Sequence, residues 1–309
     1  MTSPDADRPT PGARSDRVPL GILYMLGATI MFAVSSAVAK WYVVRYSFAE
    51  VLFLRALGSL LICAMLILPR TGLNAFRTRR LRDHAGRSAT QAVAQSCILI
   101  AISLMPLAGA MAINFSAPLF ATLFAALWLT EKVGAARWAA LLVGFGGVVL
   151  VAAPGADSFR VGALFALANA VLYGSVTAAV RGMTATESSE TLTMYQMVFL
   201  TGFFLLPLPF AFAWPGGAAG IAMLGNGLLN GLGQFWWTRA LSLAPPAVVG
   251  PFYYFALVWA MILGLLFWGD VPSPSLLAGS AIVVGSGLFL LWRETGKRYV
   301  IRRFNKAIR

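Results

Sequence analysis

Charge is what this chain has least of. Asp, Glu, Lys and Arg make up 11% of its 309 residues, and hydrophobic side chains make up 59%. A soluble domain carries about 25% charged residues. Charges this sparse cannot cover a water-facing surface of this size, so a bilayer must serve as solvent. Histidine occurs once, as His84, and cysteine twice, as Cys63 and Cys97. One imidazole and two thiols make neither a metal cluster nor a disulfide framework, and both cysteines fall inside apolar runs. His84 sits in a basic segment and reads as a solvated side chain. No nucleophile lies beside a base, and no glycine-rich loop opens a helix in a polar region. Catalytic residues, metals and cofactors are therefore not expected, and the chain reads as a non-enzyme. An ATP-driven pump is excluded too, because no polar stretch is long enough for a nucleotide-binding domain.

Acid is scarcer than base: 11 Asp and Glu stand against 24 Lys and Arg, a net charge of +13. On a soluble protein that surplus would suit nucleic acid, but its distribution points to membrane topology. With the N-terminal arm in the cytoplasm, 20 of the 24 basic residues fall inside. They include six arginines at 70–87 and seven basic residues after Trp292. Lys40, Arg45 and Arg160 fall outside, and Arg55 lies within a span. The positive-inside rule then places both termini in the cytoplasm of a cell (inner) membrane. The basic tail at 293–309 reads as topology charge, with contact to anionic headgroups as the alternative. Expected partners are lipids and a small-molecule substrate, not nucleic acid, with the protein a monomer or weak dimer.

Uncharged stretches are long where they occur. Leu20–Ala39, Val161–Val180 and Val271–Trp292 each suit one span, and Ser88–Thr130 and Thr191–Thr238 each suit two. A span needs roughly 20 residues. The expected spans are 20–41, 49–69, 88–105, 107–129, 137–153, 160–180, 191–213, 217–239, 246–268 and 273–292. All ten read as helices, since each must satisfy its own backbone in hydrocarbon and none alternates like a barrel strand. The first run is too long and starts too late for a secretory signal. Residues 1–19, polar and proline-rich, read as a disordered cytoplasmic arm.

One motif recurs half a chain away. Ala101-Ile102-Ser103-Leu104-Met105-Pro106-Leu107-Ala108 returns as Ala240-Leu241-Ser242-Leu243-Ala244-Pro245-Pro246-Ala247, five of eight positions identical at an offset of 139. The offset runs on: Gln91 matches Asn230, Gln95 matches Gln234, Asn114 matches Tyr253, and Glu131 matches Asp270. At an offset of 141, Arg55 falls opposite Gln196. The repeating unit thus holds five spans. An odd number turns the second copy upside down, and such pairs place a substrate site near the midplane where they meet.

The residues at this point resemble a family. Phe32-Ala33, Val38-Ala39-Lys40-Trp41, Glu50-Val51, Arg55, Ala117-Pro118-Leu119, Leu129-Thr130-Glu131-Lys132 and Gly144-Phe145-Gly146-Gly147-Val148 follow one another in the order of the drug/metabolite transporter superfamily, EamA type. The second copy departs from the pattern, with Leu257 where the first has Pro118. The resemblance covers about residues 20–292. It implies an all-α integral membrane protein of ten transmembrane helices. These form two inverted five-helix repeats, at 20–153 and 160–292, working by alternating access around a central cavity.

Polar side chains inside the spans are the candidates for chemistry. Asn226, Asn230 and Gln234 recur every four residues on one face of span 8, and Gln91 and Gln95 do so on span 3. An unsatisfied amide in hydrocarbon costs several kcal/mol, so these faces look into the protein or into water. Either they line a cavity or they bond neighbouring helices. Asn114 precedes Pro118, which frees its carbonyl and kinks span 4. Tyr253 and Tyr254 sit at the matching depth of span 9, and neighbouring helical residues diverge by about 100°, which would turn one tyrosine to lipid. Gly227-x-x-x-Gly231 suits close packing of helices and, with Pro118, is a candidate hinge. Trp236-Trp237 reads as an interfacial belt. Near the outer side, Lys40 or Arg55 either clamps Glu50 or meets a substrate carboxylate. Glu131 and Asp270 read as residues of the helix–helix turns.

No Asp or Glu lies deep in a span, which argues against a carboxylate proton relay and a site for cations. The leading expectation is a secondary transporter of small zwitterionic metabolites, amino acids including aromatic ones, working in export. The alternative is uptake of S-adenosylmethionine or riboflavin-like metabolites.

Overall fold

The computed structural model describes residues 18–128, 135–152, 157–183, 186–211, 215–243 and 246–307. Among these residues every regular element is helical. In chain order they are α1 (Val18–Val43), α2 (Phe48–Thr71), a short 3-10 turn (Gly72–Phe76), α3 (Leu81–Leu104), α4 (Leu107–Asn114), α5 (Ala117–Trp128) and α6 (Ala135–Ala152). The second half brings α7 (Asp157–Met183), α8 (Ser189–Leu205), α9 (Leu208–Ala211), α10 (Gly217–Leu243), α11 (Pro246–Tyr253), α12 (Phe255–Trp268) and α13 (Pro274–Ala307). Residues 1–17 of the expected arm and Glu131 lie outside the described residues, while Val18 and Pro19 already belong to α1.

Local chemistry sets the ends. Ser47 caps α2 with a capping box: its hydroxyl accepts from the Glu50 backbone N–H, and the Glu50 carboxylate accepts from the Ser47 N–H. Ser188, 141 positions on, caps α8 through Thr191. The box satisfies two otherwise free donors at the start of α2, and the Ser188 hydroxyl satisfies one at the start of α8. Gly269 ends α12 at φ 68°, a left-handed turn that a side chain would strain.

Five helical segments are long and apolar enough to cross a membrane: Val18–Val43, Phe48–Phe76, Arg160–Val180, Ser189–Phe210 and Pro251–Trp268. Leu107–Ala121, Trp138–Ala152 and Pro274–Leu290 are apolar but shorter. The helices α3 and α10 are as long as the first group. Arginines and glutamines in one, and asparagines and glutamine in the other, dilute their hydropathy. Two expected spans are split. The fourth breaks at Phe115–Ser116, where Ser116 N–H bonds Ile113 three residues back and Pro118 has no N–H to give. The ninth breaks at Tyr254, without a proline at the matching place, one turn after Pro251. The third helix starts at Leu81, inside the segment expected as an arginine loop, and α13 runs past Trp292 into the basic tail.

Packing repeats with the sequence. α1 lies against α10 and the α11–α12 pair; α7 lies against α3 and the α4–α5 pair. α2 packs on α10 as α8 packs on α3, while α2 meets α8 and α6 meets α13. Exchanging the two halves maps these contacts onto one another or onto themselves. Glycine makes the tightest crossing. A Cβ on Gly227 would stand 2.8 Å from the Gly58 Cα, and one on Gly231 would stand 2.8 Å from the Ser59 Cα. The pair Gly227 and Gly231 therefore seats α10 on the α2 backbone, and α10 continues unbroken through both. Outward, Met65, Leu142, Ile221 and Leu266 are each at least 70% exposed. Such a surface suits acyl chains, not water. This is a multi-pass membrane protein.

Candidate functional site

The amide stripe of α10 meets α2. Arg55 Nη2 donates to Asn230 Oδ1 at 2.8 Å, Asn230 Nδ2 donates to Ser59 Oγ at 3.1 Å, and Ser59 Oγ donates to the Gly227 carbonyl at 2.9 Å. The Arg55 charge is thus spread onto an amide that is itself anchored. In the other half, Gln196 of α8, which falls opposite Arg55, meets an arginine one turn away from the position matching Asn230: Arg87 on α3 donates through Nη1 to Gln196 Oε1 at 3.4 Å. Both pairs bridge the two halves of the chain.

Asn114, at the broken end of α4, accepts from Asn169 Nδ2 of α7 at 2.6 Å. Beside it Phe115, fully buried, stands edge-on to Tyr253 at 5.5 Å and tilted to Tyr254 at 5.2 Å. Tyr253 also meets Phe32 of α1. Tyr254 is buried, with its hydroxyl lodged against Gly287 of α13. Neither tyrosine turns to lipid, because the break at Tyr254 interrupts the regular 100° step. Trp236 packs edge-on to Tyr24 and fills the space over Gly27. Gln91 is buried with its Oε1 unpartnered among the described residues, while Gln95 and Gln234 are half-buried on the same faces.

The outer clamp takes a form other than the one expected. Lys40 donates to the Met105 carbonyl at 3.0 Å, lies 3.6 Å from Asp270, and rests 4.9 Å over the Trp268 ring. Glu50 is buried in the capping box of α2. Asp270 reaches across to α1 because the left-handed Gly269 turns the chain back at the end of α12. It is an inter-repeat ion pair, where the sequence suggested only a residue of the turn.

Two cavities flank this core. The first, about 480 Å³, lies between α1, α10 and α12. Its walls include Trp41, Tyr42, Phe267 and Trp268, and Asn226 forms part of its floor. Asn226 is 2% exposed, and its Oδ1 has no hydrogen-bond partner among the described residues. The second cavity, about 400 Å³, lies between α3 and α7 and is lined by Arg80, Arg82, Asp83 and Arg87.

His84 corrects the reading of a solvated side chain. It is fully buried, stacked on Tyr195 at 4.6 Å, with Nε2 3.7 Å from Glu187 and Nδ1 3.3 Å from Arg87 Nη2. Burial first, then the Arg87 charge, hold the imidazole below its ordinary 6.5, outweighing Glu187 and Asp83. Burial also brings Arg87 down to about 10, which leaves it charged at neutral pH. Arg87 further donates to the Leu192 carbonyl. Thr78 donates to Glu187 at 2.8 Å, and Tyr195 donates to the Phe76 carbonyl at 2.8 Å. This cluster ties the start of α3 to α8 and the turn before it.

Of the expected site residues, the structure brings Arg55 and Asn230 together, and likewise Asn114, Tyr253 and Tyr254. Asn226 stands apart, in the cavity between α1, α10 and α12. Sequence reading missed Asn169, Arg87, Gln196, Tyr42 and Trp268 as site residues. Asn169 had a signal, being the one amide in the apolar run of α7.

Comparison with known proteins agrees with the repeat. The model of the EamA-like transporter family matches residues 19–153 and again residues 160–292. A riboflavin transporter of Rhizobium johnstonii is 31% identical over 296 residues, 94% of this chain and 97% of the relative. A pseudopaline exporter of Pseudomonas aeruginosa is 29% identical over 273 residues, 87% of this chain and 95% of the relative. A solved structure titled only as the crystal structure of a protein shares the fold, with a TM-score of 0.59 at 23% identity, covering 89% of this chain and 95% of its own.

Proposed function

The chain belongs to the EamA-like transporter family, and from that premise we propose that it carries a small planar metabolite, with riboflavin the first candidate, across the inner membrane. One observation carries the cargo class. The outer cavity combines four aromatic rings with the buried, unpartnered Oδ1 of Asn226. A flat heterocycle with a ring N–H stacks on the rings and supplies the missing donor, and the cavity is of ordinary ligand size, between roughly 300 and 1,000 Å³. The likeness to a riboflavin transporter supports the same cargo.

A zwitterion finds less here. The two cations expected to meet a substrate carboxylate are engaged, Lys40 with Asp270 and Arg55 with Asn230. An aromatic amino acid remains the second reading. Its ring would take the same walls and its ammonium the Asn226 oxygen.

In this reading the halves are inverted copies with both termini cytoplasmic, and transport proceeds by alternating access without ATP. The exchange of packing partners between halves supports it. Net flux then follows the cargo gradient. Proteoliposomes loaded with radiolabelled riboflavin or phenylalanine should lose one of them faster than empty-vector controls. Equal leakage of both would remove the cargo class. Cysteine labelling from either side should find both chain ends on one face; opposite faces would break the inverted repeat.

A further inference from the structure

The two cavities are one crevice, built twice. At an offset of 139, the α10 wall of the outer cavity, Gly225, Asn226 and Leu229, falls opposite Gly86, Arg87 and Thr90 of the inner one. At 141, Val34, Val38 and Trp41 of α1 fall opposite Ser175, Ala179 and Gly182 of α7. The same backbone notch therefore opens at both places, and only its side chains differ. The outer copy is aromatic. The inner copy has glycine where the outer has Trp41 and arginine where it has Asn226. It also has Arg80 and Arg82 where the outer half has Ala219 and Ile221.

The notch does not demand these arginines, since the outer copy forms it without them. Arg87 is buried and spends both terminal nitrogens on Gln196 and the Leu192 carbonyl, so it brings charge to the wall and not a free fork. Arg82 has no ion-pair or hydrogen-bond partner among the described residues. Arg80 shares Asp83 at 2.7 Å and reaches Thr186 at 3.4 Å. Three guanidinium groups against one carboxylate leave the lining positive. Gly86 and Gly182 leave room, because a Cβ on either would meet nothing within 4 Å. The hydroxyls of Thr90 and Ser175 are spent on their own helices. Recognition must come from the Arg82 fork, whose geometry suits the oxygens of a phosphate, with Arg80 and Arg87 adding positive charge beside it.

We propose that the inner crevice is an anion site for a phosphate group. Two sources carry that chemistry, an anionic phospholipid headgroup in the inner leaflet and a soluble phosphate. The proposal is independent of the cargo.

The test uses the full chain in nanodiscs. Thermal shift and native mass spectrometry are read with phosphatidylglycerol against phosphatidylcholine, and with pyrophosphate added to phosphatidylcholine discs. Variants are Arg82→Gln, Arg82→Lys, and Arg79→Gln as a matched loss of charge outside the crevice. The expected result is binding of one probe, weakened at least about five-fold by Arg82→Gln, less by Arg82→Lys, and not by Arg79→Gln. Retention of phosphatidylglycerol alone names a lipid; a response to pyrophosphate names a soluble ligand. Binding of neither probe, or equal loss in Arg79→Gln and Arg82→Gln, overturns the proposal.

Discussion

The residues that differ most are the two asparagines of α10, one turn apart. Asn230 has both ends of its amide engaged, by Arg55 and Ser59. Its replacement by alanine takes a hydrogen-bond partner from the half-buried Arg55 guanidinium, a loss of about 1–3 kcal/mol. Asn230→Ala should therefore lower the melting temperature and the folded yield together with transport. Normal yield and unchanged melting would show that the Arg55 contact carries no weight. Asn226 lines the cavity, and its Oδ1 is buried without a hydrogen-bond partner among the described residues. Asn226→Leu should raise the apparent KM several-fold with little change in melting temperature, since no described partner of that oxygen is abandoned. An unaltered KM would remove Asn226 from the binding site.

His84 makes a pH statement at the same scale. Its folded value lies below 6.5, so the folded state prefers the neutral ring. The stability this contributes is fully present above about 6.5 and is lost as pH falls from there toward the lower folded value. The groups that face it are Arg87 and Asp83 on α3 and Glu187 before α8, with Tyr195 stacked on the ring. Melting temperatures taken from pH 7.5 down to 5.5 should fall more steeply for the native chain than for His84→Gln. Parallel curves would mean that His84 does not gain a proton on unfolding.

At the scale of the element, glycine and helix breaks do the positioning. Gly227 and Gly231 let α10 ride on α2 at backbone distance, which is what brings Asn230 within reach of Arg55. Gly227→Val would push the helices apart, with an overpacking cost of about 1–3 kcal/mol. The expected outcome is a lower melting temperature and impaired transport, compared with Leu228→Val on a more exposed face. Wild-type melting would show that the crossing tolerates a side chain. The same contact gives both glycines a packing role, and α10 runs through them without a break. The breaks at Phe115–Ser116 and Tyr254 are the better places for bending, since each already lacks part of its helical ladder.

Across the whole molecule, the functional contacts join one half to the other. Lys40 reaches Asp270 across 230 positions of chain, Arg55 reaches Asn230 across 175, and Arg87 reaches Gln196 across 109. Motion of one half against the other must loosen some of them. A double-mutant cycle with Lys40→Gln and Asp270→Asn should show a coupling of about 0.5–1 kcal/mol in stability, the double variant losing less than the sum of the singles. Strict additivity would make the ion pair incidental.

How much of this could be read from the chain follows from the range of each force. Hydropathy and periodicity are local properties, so apolar runs, helical faces and the doubled motif at 101–108 and 240–247 stood in the sequence. So did the need for α10 to turn its amides inward. Three features escaped. The break in the ninth run has no proline at its own place, His84 looked solvated among arginines, and Lys40 had a nearer carboxylate in Glu50 than in Asp270.

The sequence by itself determined the solvent, the helical class and the two-fold repetition, because each is set by composition or by spacing along one helix. Only the tertiary structure decided which polar groups are satisfied and which face a cavity. A buried donor takes the acceptor nearest in space, and that distance is fixed when helices from opposite halves pack.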